Sequence, residues 1–232
     1  MSERFERTAR LIGEDALEKL KNSTVMVFGV GGVGSYVVES LARSGVGKLI
    51  LFDNDIVCES NINRQIIATY DTIGKAKVKV AGERVKSINP DIKVEENEVF
   101  VTAETVEKLN LDGVDYIVDA IDNVTAKIAL VLKAKEKNVP IISSMGTGNK
   151  LCPEMLKISD ISKTNTCPLA RVMRYELRQR GVNRLKVLFS EEKPIMPKSG
   201  DSRTPASISF TPSVGGLLIS AEVIKDIIKD YL

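Results

Sequence analysis

The chain is 232 residues long, 43% apolar and 28% charged, with a net charge of +2 and no histidine. It can bury a sizeable core, as one large domain or one domain with an elaborated C-terminal half; it has neither the ~20-residue apolar run of a membrane helix nor, in its charged opening MSERFERTAR, the apolar core of a secretory signal, so a cytoplasmic protein with no membrane partner is expected. Lacking histidine, the commonest general base and metal ligand, any catalysis must run on carboxylates, lysines, arginines and backbone amides.

Residues 4–21 read as an N-terminal arm followed by a short helix with Leu17 and Leu20 on its apolar side, and Arg4, Arg7 and Arg10 recur at helical spacing. Residues 24–28 are an apolar run of strand length that meets GVGGVG, with Gly29, Gly31, Gly32 and Gly34. An amphipathic helix follows over 33–44, packing Val37, Val38 and Leu41 inward and ending at Gly45 and Gly47. Strand, glycine turn and helix together form a phosphate cradle. A second apolar run, 48–52, ends in Asp53, 19 residues beyond Gly34, where a carboxylate can bond a ribose hydroxyl. Asp55, in the same DNDIV segment, is counted with the nucleotide-binding residues. Asn61, Asn63, Arg64 and Gln65 then supply polar and cationic groups where a dehydrogenase needs neither.

A helix is expected from near Gly74 to just before Pro90, with Val78, Ala81, Val85 and Ile88 on one face. Lys75 and Lys77 in its first turn have the wrong sign for a helix N-terminus, by ~0.3–1 kcal/mol. Either an anion sits between them and the helix end, or they are surface lysines. An alternating strand over 92–100, a helical stretch over 103–109 and a buried strand over 114–118 lead to Asp119 and Asp122. Ligands of open parallel sheets bind outside the carboxyl ends of the strands, so this pair suits a Mg²⁺ shared with phosphates; alternatively one of them caps the next helix. Asp122 is the expected ligand and Asp119 the more structural residue. A helix over 124–138, a strand over 140–144 and a flexible Gly146 to Gly148 complete the alternation. It implies an α/β fold, Rossmann-like and doubly wound, with a mostly parallel sheet and helices on both faces.

From Lys150 the character changes, dividing the chain into a nucleotide-binding core over 1–150 and a C-terminal part of the same domain over 151–232. The segment MLKISDISKT is short and polar; a basic helix over 168–180 carries Arg171, Arg174, Arg178 and Arg180. A strand over 186–189, a long mobile loop over about 190–205, a strand over 208–210 and a helix over 213–232 follow. That last helix places Val214, Leu217, Leu218, Ala221, Ile224 and Ile228 on one face, and Gly215 with Gly216 permits close backbone approach, across a dimer or within one subunit. Residues 163–203 carry +6, leaving −4 for the remainder. Such segregation points to a polyanionic partner or to a solvated basic face. Cys58, Cys152 and Cys167 are too scattered for a disulfide framework or a zinc knuckle.

A lone glycine fingerprint favours NAD(P). Three features favour ATP: nothing is an obvious partner for hydride transfer, Gly32 opens the turn for a bulkier phosphate approach, and Asn61, Arg64, Gln65, Lys77 and Asp122 suit a triphosphate. In order and spacing, GVGGVG, DNDIV, SNINRQ, IGKAK and DAIDN resemble the adenylating domain of the ubiquitin-activating-enzyme superfamily over about residues 1–150. That resemblance implies ATP and Mg²⁺: Asp53 on the ribose, Asn61, Arg64 and Lys77 on the phosphates, Gln65 supporting them, and Asp122 holding the metal. Arg7, in RFERT, looks like the arginine that reaches into the partner subunit's site, which implies a homodimer and completes a catalytic set with Arg64, Lys77 and Asp122.

The C-terminal stretches KISDISKTNTCPLARVMRYELRQRGV, VLFSEEKP and ASISFTPSVGGLLISAEVIKD resemble the tRNA threonylcarbamoyladenosine dehydratase family. This implies ATP-dependent activation of the modification's carboxylate and ring closure by an internal nitrogen. Its tRNA would be held in part by Arg171, Arg174, Arg178 and Arg180, and a sulfur-transfer protein is a possible further partner. Two other functions stay open: adenylation of a sulfur-carrier or ubiquitin-like protein, with Cys167 as a conceivable acceptor thiol, and a nucleotide-sensing module that reads NAD.

Overall fold

The computed structural model describes residues 3–199 and 204–232. Among them seven strands, β1 (Thr24–Phe28), β2 (Lys48–Phe52), β3 (Lys93–Asn97), β4 (Tyr116–Asp119), β5 (Ile141–Ser144), β6 (Leu156–Asp160) and β7 (Lys186–Ser190), form one sheet in the order β3-β2-β1-β4-β5-β7-β6. Neighbours run parallel except β6, which is antiparallel to β7. The sheet is the expected Rossmann-like, mostly parallel one. Its central strands are short apolar runs buried on both sides, as parallel strands covered by helices must be. The edge strand β3, KVEEN, is charged and largely exposed, which guards its open side against pairing with another chain.

Side chains alternate between two cores. Val25, Val27, Leu49, Leu51 and Val118 face α3 (Gly34–Ser44), α4 (Lys77–Ile88) and α8 (Phe210–Ile227); Met26, Phe28, Ile50, Phe52 and Ile117 face α5 (Ala103–Glu107), α6 (Val124–Glu136) and α7 (Pro168–Gln179). The register sets Phe28 level with Phe52 on one side and with Asp119 on the other, and Asp119 level with Ser143. The carboxyl ends of β1, β2, β4 and β5 therefore form one rim.

The N-terminal segment is two helices, α1 (Glu6–Ile12) and α2 (Glu14–Lys21), broken at Gly13, whose φ of +89° suits glycine. Three expectations for the C-terminal part are corrected. The polar stretch after Lys150 contains β6, the antiparallel edge strand of the sheet. Residues 208–210 are not a strand; α8 already begins at Phe210. On α8 the buried face is Gly215, Gly216, Ile219, Ser220, Val223 and Ile227; of the expected face Ile228 is buried and Val214, Leu218 and Ile224 pack against the core, while Leu217 is 48% exposed and Ala221 is exposed.

The glycine pair turns the helix. A Cβ on Gly216 would lie 2.5 Å from the Val33 carbonyl oxygen and 2.7 Å from Tyr36 Cβ, and one on Gly215 would lie 2.8 Å from Leu188 Cδ2. The close approach open to these glycines is thus made within one subunit, by Gly216 against the start of α3 and by Gly215 against β7. Farther along α8, Lys186 binds Glu222 at 2.8 Å and Asp226 at 2.6 Å, and the Tyr116 hydroxyl donates to Asp226 at 2.6 Å.

The loop after β7, expected to be mobile, is fastened where it is described. The buried Glu192 carboxylate accepts the amides of Leu151 and Cys152, and the Ile195 amide donates to the Asn149 carbonyl at 2.8 Å. Residues 200–203 of that loop lie outside the described residues.

Glu39 on α3, buried, accepts from Arg84 of α4 at 2.5 Å and from Arg43 at 2.8 Å. Burial pushes its carboxyl up, but the bonds from the two guanidiniums outweigh burial and hold it below the ordinary glutamate value. A depressed folded-state pKa gives stability that is present above the unfolded value and is lost as pH falls through the folded one. Glu39→Gln is therefore expected to be less stable than wild type at pH 7, with the gap closing below about pH 4. Urea midpoints at pH 7, 5 and 3 check this; a gap independent of pH would refute it.

Candidate active site

The rim of carboxyl ends gathers the sequence motifs in one place. The Gly29 amide donates to the Phe52 carbonyl at 2.8 Å, and Gly29 itself has a φ of +85°. A Cβ there would meet the Ala120 carbonyl at 2.7 Å, and a Cβ on Gly34 would lie 1.8 Å from the Gly29 carbonyl oxygen. Both positions admit only glycine. Gly31 is different, since its Cβ would meet nothing nearer than Gln65 Nε2 at 3.9 Å; that open side is where a phosphate can approach the backbone. Gly32 does not add phosphate room as expected. The space beside it is filled by Pro212, 3.2 Å from a Cβ, and by Arg64 Cγ at 3.5 Å.

Asp53 braces this turn. One carboxylate oxygen accepts the Val30 amide at 2.7 Å and the other the Asp55 amide at 2.9 Å. Asp55 in turn pairs with Lys77 at 2.7 Å, and its carbonyl accepts the Lys77 amide at 2.9 Å. α4 begins at Lys77, so Lys75 lies outside the helix. The anion beside the helix start is the Asp55 carboxylate. The Lys77 side chain is only 7% exposed, which positions its ammonium tightly.

Arg64 follows a 3₁₀ turn, Glu59–Asn61, and spends one guanidinium nitrogen on the Ser60 carbonyl and Asn63 Oδ1, both at 2.9 Å. Its other two nitrogens make no bond among the described residues. Asn61 is buried, its side-chain oxygen accepting the Cys58 amide. Gln65 is buried too, and its Oε1 has no partner; neither has the buried Ser35 hydroxyl in the first turn of α3. Orphaned polar atoms beside a glycine turn fit a site completed by a polar ligand.

Asp119 and Asp122 separate cleanly. Asp119 is fully buried with Lys127 and Ser143. Asp122 is exposed and makes no bond among the described residues, and Asn123, not either aspartate, caps α6 by accepting the Ala126 amide at 3.0 Å. No cluster of three or more metal-ligating side chains exists among the described residues. A single hard carboxylate on the rim is nevertheless what Mg²⁺ needs when nucleotide phosphates and water supply its other ligands. Sequence reasoning missed Lys127 and Ser143; the signal for Lys127 was a lone lysine inside the apolar run of α6.

Arg7 is not brought to this rim. It is exposed on α1, whose neighbour Arg4 pairs with Asp91 at 2.6 Å, before β3, at the amino end of the sheet. Of the basic helix, Arg174 is committed to the carbonyls of Thr164 at 2.9 Å and Ile161 at 3.3 Å, and Arg180 to Glu176 at 2.7 Å. Arg171 and Arg178 are exposed and carry no bond among the described residues. Cys167, which precedes α7, is 4% exposed. A mainly apolar groove of about 220 Å³, lined by Leu151, Ile195, Met196 and Ile208 among others, adjoins the rim. Its wall at Ser207 accepts the Asn63 amide group at 3.1 Å.

Comparison with known proteins fits this geometry. The ThiF family model matches residues 5–231. The tRNA threonylcarbamoyladenosine dehydratase of Bacillus subtilis is 42% identical over 99% of this chain and 96% of its own length, and that of Escherichia coli is 38% identical over 85% and 76%. The crystal structure of the Escherichia coli enzyme in complex with AMP superposes with a TM-score of 0.92 at 34% identity, covering 98% of this chain and 94% of that one. Its complex with ATP gives 0.91 at 33%.

Proposed function

The chain belongs to the ThiF family, and from that premise we propose that it is an ATP-dependent tRNA threonylcarbamoyladenosine dehydratase. The observation that carries this reading is the end-to-end likeness to enzymes of that name, which takes in α7, β6 and α8 as well as the nucleotide core. The carboxylate of the threonylcarbamoyl group attacks the α-phosphorus of ATP, a P–O bond breaks, and pyrophosphate leaves. The modification's own nitrogen then attacks the acyl carbon of the adenylate and expels AMP, so that water is removed overall at the expense of ATP. Ring closure is intramolecular, and its high effective molarity lightens the demand on the protein.

The residues divide the work by position. The open side of Gly31 and the first turn of α3 receive phosphate oxygens on backbone amides. Asp53 takes a ribose hydroxyl with lone pairs not used on the turn. Arg64 and Lys77 neutralise charge that develops on the α-phosphate and on departing pyrophosphate, with Asn61 and Gln65 shaping the wall. Asp122 would hold Mg²⁺, which when bound spreads negative charge away from the phosphates. Arg7, remote from the rim of its own subunit, is assigned to the site of a partner in a homodimer. Tumbling mass in solution tests that assignment; a monomer that retains activity removes it. Action on tRNA assigns the protein to the cytoplasm; among the described residues no helix is long and apolar enough to cross a membrane.

The deciding assay incubates the protein with ATP, Mg²⁺ and tRNA carrying threonylcarbamoyladenosine, and looks for AMP together with a nucleoside lighter by one water. AMP formation that requires a small carrier protein instead of modified tRNA would favour the carrier-adenylating reading. Buried Cys167 is not expected to matter to the first outcome.

For RNA binding the exposed pair on α7 is decisive. Arg171→Ala with Arg178→Ala is expected to weaken tRNA binding and to lower the slope of log affinity against log salt by about 2, one per phosphate contact, leaving ATP affinity unchanged. An unaltered salt slope would sink the assignment. Arg174→Ala is expected to act mainly on stability, because its guanidinium fastens the segment before α7.

A further inference from the structure

Lys127 has no role in the chemistry just described, yet it is among the least expected residues of the interior. Its side chain and that of Asp119 are both fully buried. The ammonium donates to Asp119 Oδ1 and to the Ile121 carbonyl, both at 3.0 Å, and the ion pair also brings Asp119 Oδ2 to 3.0 Å. The same carboxylate takes the Ser143 hydroxyl from β5 at 2.5 Å and the Ile121 amide at 3.3 Å. Replacing a buried ion pair by apolar groups is often neutral or stabilising, so stability alone does not call for this arrangement.

What the network does fix is the backbone ahead of Asp122. Ala120 is held from one side, its amide donating to the Phe28 carbonyl at 2.8 Å and its carbonyl lying against Gly29. Ile121 is held from the other, its amide by Asp119 and its carbonyl by Lys127. Asn123 is fixed as the cap of α6. Asp122 is thus a free carboxylate mounted between an Ala120–Ile121 segment held on both sides and the Asn123 cap of α6. We infer that Lys127, through Asp119 and Ser143, is a positioning residue that presets Asp122 toward the metal–nucleotide complex. This inference rests on the reading of Asp122 as the Mg²⁺ ligand.

The test uses the doubly neutralised variant Asp119→Asn with Lys127→Met, which removes both buried charges together. Mn²⁺ binding to the full-length protein loaded with a non-hydrolysable ATP analogue is followed by electron paramagnetic resonance, beside the melting temperature. Loss of outer-shell support of this kind weakens metal binding ~10–100-fold. The expected result is at least a ~10-fold rise in the Mn²⁺ dissociation constant, with metal-free nucleotide affinity and melting temperature close to wild type. A folded variant with wild-type Mn²⁺ affinity overturns the inference, because a purely structural lysine would move the melting temperature alone. Should the double variant fail to fold, Ser143→Ala, which deletes one bond and no charge, decides by the same measurement: weakened Mn²⁺ binding supports the inference and unchanged binding overturns it. Asp122→Ala run in parallel separates the premises. If that variant binds Mn²⁺ as wild type does, the metal reading of Asp122 falls and the positioning role falls with it; if it does not, the network is judged on its own variants.

Discussion

Arg64→Ala is expected to lower AMP formation by ~10²–10³, equivalent to ~2.7–4 kcal/mol of lost transition-state stabilisation. This guanidinium uses one nitrogen to hold the Ser60 carbonyl and the Asn63 side chain, which leaves two nitrogens for phosphate oxygens. The charge it meets grows as pyrophosphate departs, so the loss belongs mainly in kcat rather than in the KM for ATP. Arg64→Lys is expected to recover only part of the rate, because an ammonium cannot reproduce two parallel bonds from a planar fork. Steady-state AMP release with modified tRNA measures all of this. Folding is a control: the bonds lost are near the surface, and the variant's stability should stay within ~0.5 kcal/mol. A variant that keeps a tenth or more of the wild-type rate would remove Arg64 from the reaction.

The second large effect is on stability. Asp119→Ala strands a fully buried ammonium, and breaking a buried pair from one side costs ~3–5 kcal/mol. For a domain of this size each kcal/mol moves the melting temperature by roughly 2–4 °C. The drop should therefore be large, and Lys127→Met alone should cost a comparable amount by stranding the carboxylate. Removing both charges should cost much less than the sum of the two single changes, a non-additivity that a double-mutant cycle in urea reads directly. Additive losses would mean that the two side chains do not stabilise one another and that their juxtaposition is incidental.

The fold was largely legible because buried parallel strands announce themselves as short apolar runs, as in TVMVF and KLILF, each followed by a turn and an amphipathic helix. The unread elements are those whose character is set by their neighbours. β6, LKISD, is a half-exposed edge strand that gains its conformation by pairing with β7. Residues 208–210 look strand-like by composition, yet Pro212 falls in the first turn of a helix, where its missing amide costs nothing. On α8 apolar residues lie on all sides, so periodicity cannot select a face, and two glycines decide it, Gly216 facing α3 and Gly215 facing β7.

The linear motifs of the site were equally legible, from the glycine turn through Arg64 and Lys77 to Asp122. What lay beyond reach was the company each residue keeps. Asp55 pairs with Lys77 across a gap of twenty-two residues. Asp119 meets Ser143 only through the register of β4 against β5, and Lys127 only through the inward face of α6. Arg174 illustrates the opposite error, since a basic helix read as a uniform RNA-facing surface contains one arginine turned inward to hold carbonyls.

The seating of α8 has a consequence for how the polypeptide can be dissected. It lies over Gly32 through Pro212, against α3 through Gly216, and bonds Ser40 through Ser220 at 2.7 Å, so the final stretch is a lining of the nucleotide turn rather than an appendage. Two fragments, made by cutting the chain between β7 and α8 and produced together, should reassemble by complementation into one particle, whereas the longer fragment produced alone should clump, its bare helix backs finding one another in place of the missing piece.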